Sequence, residues 1–596
     1  MRLPRRTLAA AALCLLAHGT AHAAQVGSVE IVGLDEPMTE NVRLSLSLVE
    51  AVGTEVSARR LAYLIREAND EAREALQPFG YYDPQISVER TRDGAATGVT
   101  ITVVPGQPVT VRRADIAIIG EGNRDRYLRE DLAEFEPQPG EVLDHRQYEA
   151  SKIAITRRLA ERGYFDAGFA SHRVEVTRAE HAADIDLVWE SGQRYDIGPI
   201  SFQQTPDPVV REDLLGELVY WDTGSYYHQG KLDRLRESLT GLDYFAVIDI
   251  EPRPEAAIGN DVPVTVTLTP AKRDIYTAGL SYGTDSGAGV RLGAERRYVN
   301  QRGHKALVQL DYAERRRTLT LQYRIPAFAW LDGWYTFSSQ VAEEQSEYID
   351  TRRLETVASR SGEIDRHWTV IASLHALRER WDYVVADDEG TLVAPDYRYA
   401  TFTYPSLRGE YVEADDLVFP RNGRAATILL RGGLEGAGSD ADFGQVHLSA
   451  RWYRGLGDSS RLITRGELGR TFTDNLVDIP PSLRFFAGGD RSIRGYAWRE
   501  VGPRVTGLDG EQYALGAENV VTASVEFEHY FSDLWGAAVF VDSGSAFNHD
   551  DPDWRTGVGV GLRWRSPVGP LRLDIARGLD RPDSGFQLYL AIGADL

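Results

Sequence analysis

Two hydrophobic periodicities divide the chain near residue 272. Before that point, apolar residues recur at helical spacing between short alternating segments. One such face covers residues 61–72 and follows Ser57, which is a predicted helix N-cap. From residue 273 onward the helical period gives way to a period of two, which is typical of half-buried β-strands. The pattern therefore predicts a mixed α+β part followed by an all-β part.

The N-terminal part consists of three repeats. Tyr81, Tyr164 and Tyr244 occupy equivalent positions, each after a helical segment and before two alternating strands. A strand and a shorter helix precede the long helix in each repeat, so the predicted order is β-α-α-β-β. A unit of this size can bury helices against one small sheet. Such units either act as spacers or dock partners, because an exposed sheet edge accepts an added strand. The predicted α+β domains cover residues 24–106, 107–193 and 194–272.

The all-β part alternates most clearly near its end. In residues 556–564, valine, leucine and tryptophan occupy one face while glycine and arginine occupy the other. The pattern alone does not decide whether the apolar face points inward or outward. A soluble sandwich turns that face inward, and a membrane barrel turns it outward. Nine of the eleven tryptophans lie beyond residue 329, as expected for aromatic girdles at the membrane interfaces. At ~20 residues per strand and connection, the length fits roughly 16 strands. We therefore predict a transmembrane antiparallel β-barrel over residues 273–596.

The first residues predict export. Basic residues at positions 2–6 precede an apolar run over residues 8–16, and small residues flank His22, so residues 1–23 resemble a secretory signal peptide. Cys14 is the only cysteine and lies in this segment, which leaves the mature chain without thiol or disulfide chemistry. The formal net charge of −23 argues against nucleic-acid binding, which favours basic surfaces.

The sequence contains no convincing catalytic motif. Residues 279–283 match G-x-S-x-G, but they lie in an alternating strand and not at a strand-to-helix elbow. There is neither a Walker A motif nor a His-Glu-x-x-His zinc motif. We therefore expect no enzyme activity, no bound metal and no cofactor.

Three motifs in the all-β part resemble one family. "IRGY" (Ile493 to Tyr496), within "RFFAGGDRSIRGY", is similar to the signature of the loop that folds into the barrel of BamA-type outer-membrane insertases. "FVDSG" (540–544) resembles the F-x-D-x-G strand motif of that family, and residues 557–574 resemble its late-strand signature. The three repeats resemble POTRA (polypeptide-transport-associated) domains. With three of them, the chain looks most like the TamA-type members, the outer-membrane subunits of translocation and assembly modules. It ends in Leu596, whereas many such barrels end in an aromatic residue that bears on their own assembly.

The resemblance implies an internal latch in the barrel lumen. Its loop arginine, here Arg494, pairs with the aspartate of the F-x-D-x-G motif, here Asp542. Strand alternation places Glu526 and Glu528 in the lumen, and the resemblance implies Glu526 as a second partner. Glycines at 557, 559 and 561 share the lumen side and leave room for the loop. The predicted latch residues are Arg494, Gly495, Tyr496, Asp542 and Glu526.

The resemblance also implies a working seam between the first and last barrel strands, residues 275–284 and 585–596. Glycines weaken packing along both strands. An opened seam exposes unpaired backbone groups, for which a client β-strand is a partner. The predicted seam residues are Gly279, Ser281, Gly283, Ala591 and Gly593.

The partners implied by the resemblance follow from this placement. The barrel would lie in outer-membrane lipid with the POTRA domains in the periplasm. Clients would be autotransporters and other outer-membrane β-barrel proteins, and a TamB-like protein anchored in the inner membrane would dock on the first POTRA domain. Two other transport functions stay open: a two-partner-type secretion pore, which usually carries two POTRA domains, and a passive porin, which needs neither POTRA domains nor a latch.

Overall fold

A computed structural model describes most of the chain from Ala23 onward. The residues outside the description are 1–22, 94–95, 284–286, 329–332, 346–349, 383–397, 507–511, 550–551, 567–568, 581–584 and 593–596. The predicted signal peptide up to residue 22, the seam residue Gly593 and the terminal Leu596 therefore lie outside the described residues. Among the helices that are described, none has the length and hydropathy needed to cross a membrane.

The first repeat packs its helices against a small sheet. Helix α3 begins after Ser57, whose side chain accepts a hydrogen bond from the backbone N–H of Arg60 at 3.2 Å, as the sequence predicts. Its apolar face is buried, with Leu61 and Leu64 nearly inaccessible. The sheet order is β2-β1-β4-β3, with β1 parallel to β4. The elements are β1 Ala23–Val32, α1 Glu36–Ser45, α2 Ser47–Glu50, β2 Glu55–Ser57, α3 Ala58–Leu76, β3 Gln85–Asp93 and β4 Ala96–Val104.

The second and third repeats follow the same plan, each with a three-stranded sheet in which the last strand is central. Tyr148, Ile155 and Leu159 of the second repeat are buried, as their helical spacing predicts. The second repeat contains β5 Thr110–Ile119, α4 Arg126–Ala133, α5 His145–Glu161, β6 Gly168–Thr177 and β7 Ala182–Glu190. The third contains β8 Asp196–Gln204, α6 Glu212–Gly216, α7 Gln229–Gly241, β9 Phe245–Pro252 and β10 Asp261–Pro270.

The chain forms two compact units whose division passes through the third repeat. The first unit comprises the described residues up to Ser201 together with residues 221–234 and 251–265, and the second comprises the other described residues. Within the second unit, the Tyr244 hydroxyl donates to the carbonyl oxygen of Gly303. The three predicted domain boundaries stay predictions.

The all-β part forms one antiparallel sheet of sixteen strands in chain order, as predicted. Its first eight strands are β11 Asp274–Gly283, β12 Gly287–Arg296, β13 Lys305–Ala313, β14 Arg316–Pro326, β15 Trp334–Gln345, β16 Asp350–Glu363, β17 Trp368–Asp382 and β18 Arg398–Ala414. The next three are β19 Gly423–Gly433, β20 Phe443–Leu456 and β21 Ser460–Phe472. A loop over residues 473–518 follows and carries the short hairpin β22 Arg504–Thr506 and β23 Gln512–Ala514. The last five strands are β24 Asn519–Tyr530, β25 Trp535–Phe547, β26 Arg555–Ser566, β27 Gly569–Gly578 and β28 Gln587–Ile592.

The two faces of this sheet have opposite chemistry. On β24, Val525 is 51% exposed and the adjacent Glu526 only 5%. On β25, Val541 is 50% exposed and the adjacent Asp542 is fully buried. Because successive side chains of a strand point to opposite faces, the outer face is apolar and the charges lie in the lumen. An apolar face that points outward is that of a transmembrane barrel, so the fold class predicted from the sequence is confirmed.

Strand alternation fixes which connections share an end of the barrel. The chain enters β11 at Asp274, so every turn after an even-numbered barrel strand, including the one from Ser566 to Gly569, lies at that end. The Ser566 hydroxyl donates to the carbonyl oxygen of Gly569 at 2.6 Å and braces this turn. Residues 548–554 and the long loop 473–518 depart from the opposite end.

Candidate functional site: the loop inside the barrel and its last strands

The loop between β21 and β24 is folded into the lumen. Phe485 and Ala517, near its two ends, exchange backbone hydrogen bonds of 3.0 and 2.8 Å. Ile493 and Tyr496, close to its tip, are 0% and 2% exposed. A loop with such burial needs partners for its polar groups, because an unpaired buried polar atom costs about 1–3 kcal/mol.

The Arg494 guanidinium forms a bidentate ion pair with the Asp542 carboxylate. Nε donates to one carboxylate oxygen at 2.7 Å and Nη2 to the other at 3.0 Å, and the backbone N–H of Arg494 adds a third bond to the carboxylate at 3.0 Å. Nη1 donates to Glu526 at 2.7 Å. The guanidinium carbon lies 3.3 Å from the centroid of the Phe540 ring, close enough for a cation–π contact. The structure thus brings together the arginine and both carboxylates that the sequence selected.

Sequence reasoning missed the rest of this charge network. Arg494 Nη1 also donates to Asp574 on β27 at 2.9 Å. Arg563 on β26 contacts that same aspartate and both Glu526 and Glu528. The full network comprises Arg461, Arg465, Arg494 and Arg563 with Glu526, Glu528, Asp542 and Asp574.

Among the described residues of this network, four cations face four anions, so their formal charges balance. Alternation had placed Asp574 and Arg563 on the polar faces of their strands. Which polar residues meet depends on the register: β26 pairs Gly561 with Asp574, and that register was not readable from the pattern. Removing any one member would leave the network with one uncompensated charge, which is strongly destabilising where that charge is buried.

Gly495 and Tyr496 connect the loop to the last two strands. Gly495 has φ +98°, and a Cβ there would lie 2.5 Å from the carbonyl carbon of Arg577, so neither backbone nor space accepts another residue. The backbone N–H of Gly495 donates to Tyr589 Oη at 3.0 Å, and Tyr589 Oη donates to the carbonyl oxygen of Tyr496 at 2.7 Å. The Tyr496 hydroxyl donates to Asp580 at 3.0 Å. Tyr589, on the last strand, was not among the predicted site residues.

The lumen-side glycines of β26 make room for the loop. A Cβ on Gly557 would lie 1.7 Å from the carbonyl oxygen of Arg494. A Cβ on Gly559 would lie 2.3 Å from the Phe540 ring, the ring over which the guanidinium stacks. The glycine alternation read from the sequence therefore corresponds to a close approach of loop and wall.

The predicted seam residues lie on the two outermost strands of the sheet. On β11, Gly279 pairs with Arg291, Ser281 with Gly289 and Gly283 with Gly287; on β28, Ala591 pairs with Arg572. The Ser281 side chain falls outside the description. The strand order starts at β11 and stops at β28, and within the described parts of these strands no ladder joins them. Within the described residues, the ladder between β27 and β28 covers six residue pairs.

A second polar network lies on the lumen face of β16, β17 and β18, and sequence reasoning missed it entirely. His375 Nδ1 lies 2.9 Å from Glu355, and His375 Nε2 lies 3.0 Å from the Ser406 hydroxyl. The imidazole stacks on the Tyr404 ring at 4.6 Å. Because the three residues are scattered over more than fifty positions, only strand register brings them together.

Comparison with known proteins adds independent findings. The family model of the Omp85 superfamily domain matches residues 299–595. The model for POTRA domain TamA domain 1 matches residues 28–105, and a POTRA model described as a surface antigen variable number repeat matches residues 111–190. The crystal structure of BamA from Haemophilus ducreyi lacking POTRA domains 1–3 has the same fold, with a TM-score of 0.63 and 17% identity over 81% of this chain and 99% of that chain.

Two outer membrane protein assembly factors named BamA are similar in sequence. The one from Nitratidesulfovibrio vulgaris is 25% identical over 441 residues, which are 71% of this chain and 54% of the relative. The one from Neisseria meningitidis serogroup B is 21% identical over 580 residues, 86% of this chain and 70% of the relative. The chain thus spans about half the length of the first of these relatives.

Proposed function

Because this chain is a member of the Omp85 superfamily that carries POTRA domains, we propose that it resides in the outer membrane and assists the insertion of other β-barrel proteins. Its barrel would lie in outer-membrane lipid, which the apolar outer face suits, and its repeats would lie in the periplasm. We further propose autotransporters among the clients, as for TamA-type proteins.

The observation that carries this proposal is the edge between β11 and β28. In lipid, every backbone polar group needs a partner within protein, so an open edge at membrane depth is costly until another strand pairs with it. An unfolded client offers such a strand, and the backbone N–H and C=O groups of the client would form hydrogen bonds with the edge. Insertion would then proceed by templated strand pairing, without covalent chemistry and without a cofactor.

The latch gives the last strands of the barrel a fixed inner support. Arg494 contacts β24, β25 and β27 through Glu526, Asp542 and Asp574, and Tyr589 attaches β28 to the same loop. We propose that this support keeps β24–β28 in place while the edge opens, so that the edge stays shaped for the client strand.

The match of the first repeat to a TamA-type POTRA model supports a dedicated partner there. We propose that a TamB-like protein anchored in the inner membrane docks on this first domain. Deleting residues 28–105 should abolish its co-purification while the barrel still folds. Unchanged co-purification would exclude this docking site.

Two other functions make different predictions for ion flow. A passive porin is steadily open, and a two-partner-type pore opens for one secreted partner. The loop buried in the lumen favours a pore that is mostly closed. Single-channel recording should show rare openings in the native protein, and steady conductance would favour the porin.

The decisive experiment closes the seam covalently. The one cysteine of the sequence is Cys14, in the predicted signal peptide, so single cysteines at 277–280 on β11 can be paired with single cysteines at 588–591 on β28. An oxidised pair should block client assembly, measured by proteomics of outer membranes against a deletion strain, and reduction should restore it. Cysteines paired across β16 and β17 provide the control. Full client assembly with the seam oxidised would overturn the proposal.

A further inference from the structure

A cationic pocket lies within the first compact unit, far along the chain from the latch and the seam. Its volume is about 480 Å³, within the usual range of small-ligand sites. The lining combines residues of the second repeat, one residue between β7 and β8, and two residues that follow β8: Tyr127, Arg158, Arg162, Arg194, Tyr226 and His228. Nothing in the proposed insertion mechanism uses this pocket.

Two arginines are held in fixed orientations at the pocket. Arg162 Nε donates to Asp125, and its guanidinium carbon lies 4.6 Å from the Tyr127 ring centroid. Arg194 Nε donates to the carbonyl oxygen of Arg162 at 2.9 Å, and its guanidinium carbon lies 4.5 Å from the Tyr226 ring centroid. Because one edge of each guanidinium is occupied and one face is stacked, the orientation of the other edge is set before any ligand arrives.

The remaining donors of these arginines are available. Both terminal amines of Arg162 and Nη1 of Arg194 have no acceptor among the described residues. His228 adds a donor: its Nδ1 accepts the backbone N–H of Gly230 at 3.0 Å, which leaves the proton of the neutral ring on Nε2. The free polar groups of Arg162, Arg194 and His228 at the pocket are therefore all hydrogen-bond donors.

Cations and anions both lie around the pocket, and Glu121 accepts the backbone N–H of Arg194. Arg162 and Arg158 are paired with Asp125 and Asp131. The Arg194 side chain donates only to neutral carbonyl oxygens, and Lys231 Nζ donates to Tyr226 O at 2.7 Å and to a serine hydroxyl.

The nearby histidine is affected by both burial and charge. Burial, followed by the charges of Arg162 and Arg194, lowers the pKa of His228. An anion in the pocket would relieve the repulsion among these cations.

We propose that this pocket binds a carboxylate group of an extended peptide, either an acidic side chain or a chain terminus. A planar carboxylate matches the exposed edge of a guanidinium, which donates two parallel hydrogen bonds. The ring of Tyr127 lies against Arg162 and Arg126, and that of Tyr226 against Arg194 and Lys231, so a neighbouring apolar residue of the ligand would contact the exposed edges of these rings. These tyrosines are 42% and 53% exposed, which leaves the rim open for a chain that continues beyond the pocket.

The test uses the full chain in detergent micelles and a fluorescent peptide with one glutamate between two phenylalanines, blocked at both ends. Anisotropy should show saturable binding, and the same peptide with glutamine in place of glutamate should bind at least tenfold more weakly. Inorganic phosphate is the competing probe. Its ability to displace the peptide is compared with that of acetate, which carries a carboxylate. If phosphate displaces the peptide at lower concentrations than acetate does, the pocket selects phosphate and the peptide proposal fails.

Variants assign the binding to this pocket. Arg194→Gln should weaken the peptide at least tenfold, and Arg194→Lys, which keeps the charge but loses the two-pronged edge, should weaken it by a smaller factor. Arg157→Gln is the matched control, since Arg157 lies on the same helix as Arg158 with a side chain 72% exposed and outside the pocket. Amide exchange across residues 145–161 checks that each variant remains folded. Equal binding of the glutamate and glutamine peptides, or folded Arg194 variants that bind like the native chain, would overturn the proposal.

Discussion

Tyr589, on the last barrel strand, donates a hydrogen bond of 2.7 Å from its hydroxyl to the backbone carbonyl oxygen of Tyr496, in the loop that fills the lumen. The same hydroxyl accepts the N–H of Gly495. The strand that forms one side of the seam is therefore attached to the latch through the Tyr589 side chain.

Tyr589→Phe should loosen the last strand without removing its aromatic ring. Both hydrogen bonds are lost, and two backbone groups of the loop stay buried without that partner, at a cost of about 1–3 kcal/mol. We expect faster amide exchange in residues 587–592 and a lower temperature at which the folded barrel loses its compact electrophoretic mobility. Tyr312→Phe, at a ring 50% exposed on β13, serves as the control. Equal exchange in both variants would contradict the role of Tyr589.

Arg494→Ala should destabilise the barrel more than Arg494→Lys. Breaking a buried ion pair typically costs about 3–5 kcal/mol, because the partner charge stays behind. Lysine keeps the charge but cannot form the two-pronged bond to Asp542, so we expect partial rescue of heat resistance and of client assembly. A charge exchange between Arg494 and Asp542 is a poor test here, because a carboxylate at 494 would face Glu526 and Asp574 as well. Native-like heat resistance of Arg494→Ala would contradict the latch.

Gly557→Ala should displace the latch from the wall. The added methyl group would overlap the carbonyl oxygen of Arg494, a backbone atom that moves only with the loop. We expect heat resistance to fall and protease cleavage within residues 485–500 to increase. Gly444→Ala, on β20, has no atom within 4 Å of the added carbon and should behave like the native chain. Cleavage that is the same in both variants would show that the loop does not depend on this close approach.

The second repeat should lose stability in mild acid through His145. Burial lowers the pKa of this histidine, whose Nε2 lies 2.8 Å from Tyr82 Oη. The unfolded chain takes up the proton near pH 6.5 and the folded chain only at lower pH, so the free energy of unfolding falls as the pH drops below about 6.5. Amide exchange of α5, corrected for intrinsic rates, should accelerate between pH 7 and 5. His145→Gln should remove that acceleration, and His172→Gln, at an exposed position, should preserve it.

Ser406 should not behave as an enzymatic nucleophile. Its hydroxyl is linked through His375 to Glu355 by hydrogen bonds, as the serine, histidine and acid of a catalytic triad are. Ser406 lies in the middle of β18, which pairs with β17 and β19 on both sides. The surrounding backbone N–H groups are therefore engaged in the sheet and cannot form an oxyanion hole. A fluorophosphonate probe should leave the native protein unlabelled. Labelling that disappears in Ser406→Ala would contradict this and point to a hydrolase.

Local patterns along the chain were sufficient for the architecture. The period of 3.6 in residues 61–72 and the period of two in β24–β28 each depend on which face of one element is buried, and that is written into consecutive residues. For the same reason, alternation placed Glu526 and Asp542 in the lumen and Val525 and Val541 outside. The regular spacing of the repeated tyrosines was enough to mark three units.

The completed site was decided only by the tertiary structure. Asp574, Arg563 and Tyr589 were visible as polar or aromatic positions, but their meeting with Arg494 and Tyr496 requires the register between strands and the path of a long loop. The cationic pocket likewise joins Arg162 and Arg194 to Tyr226, from segments separated by complete secondary-structure elements. Periodicity records which side of an element faces the interior, whereas the identity of the neighbour across that interior is set by packing between distant segments.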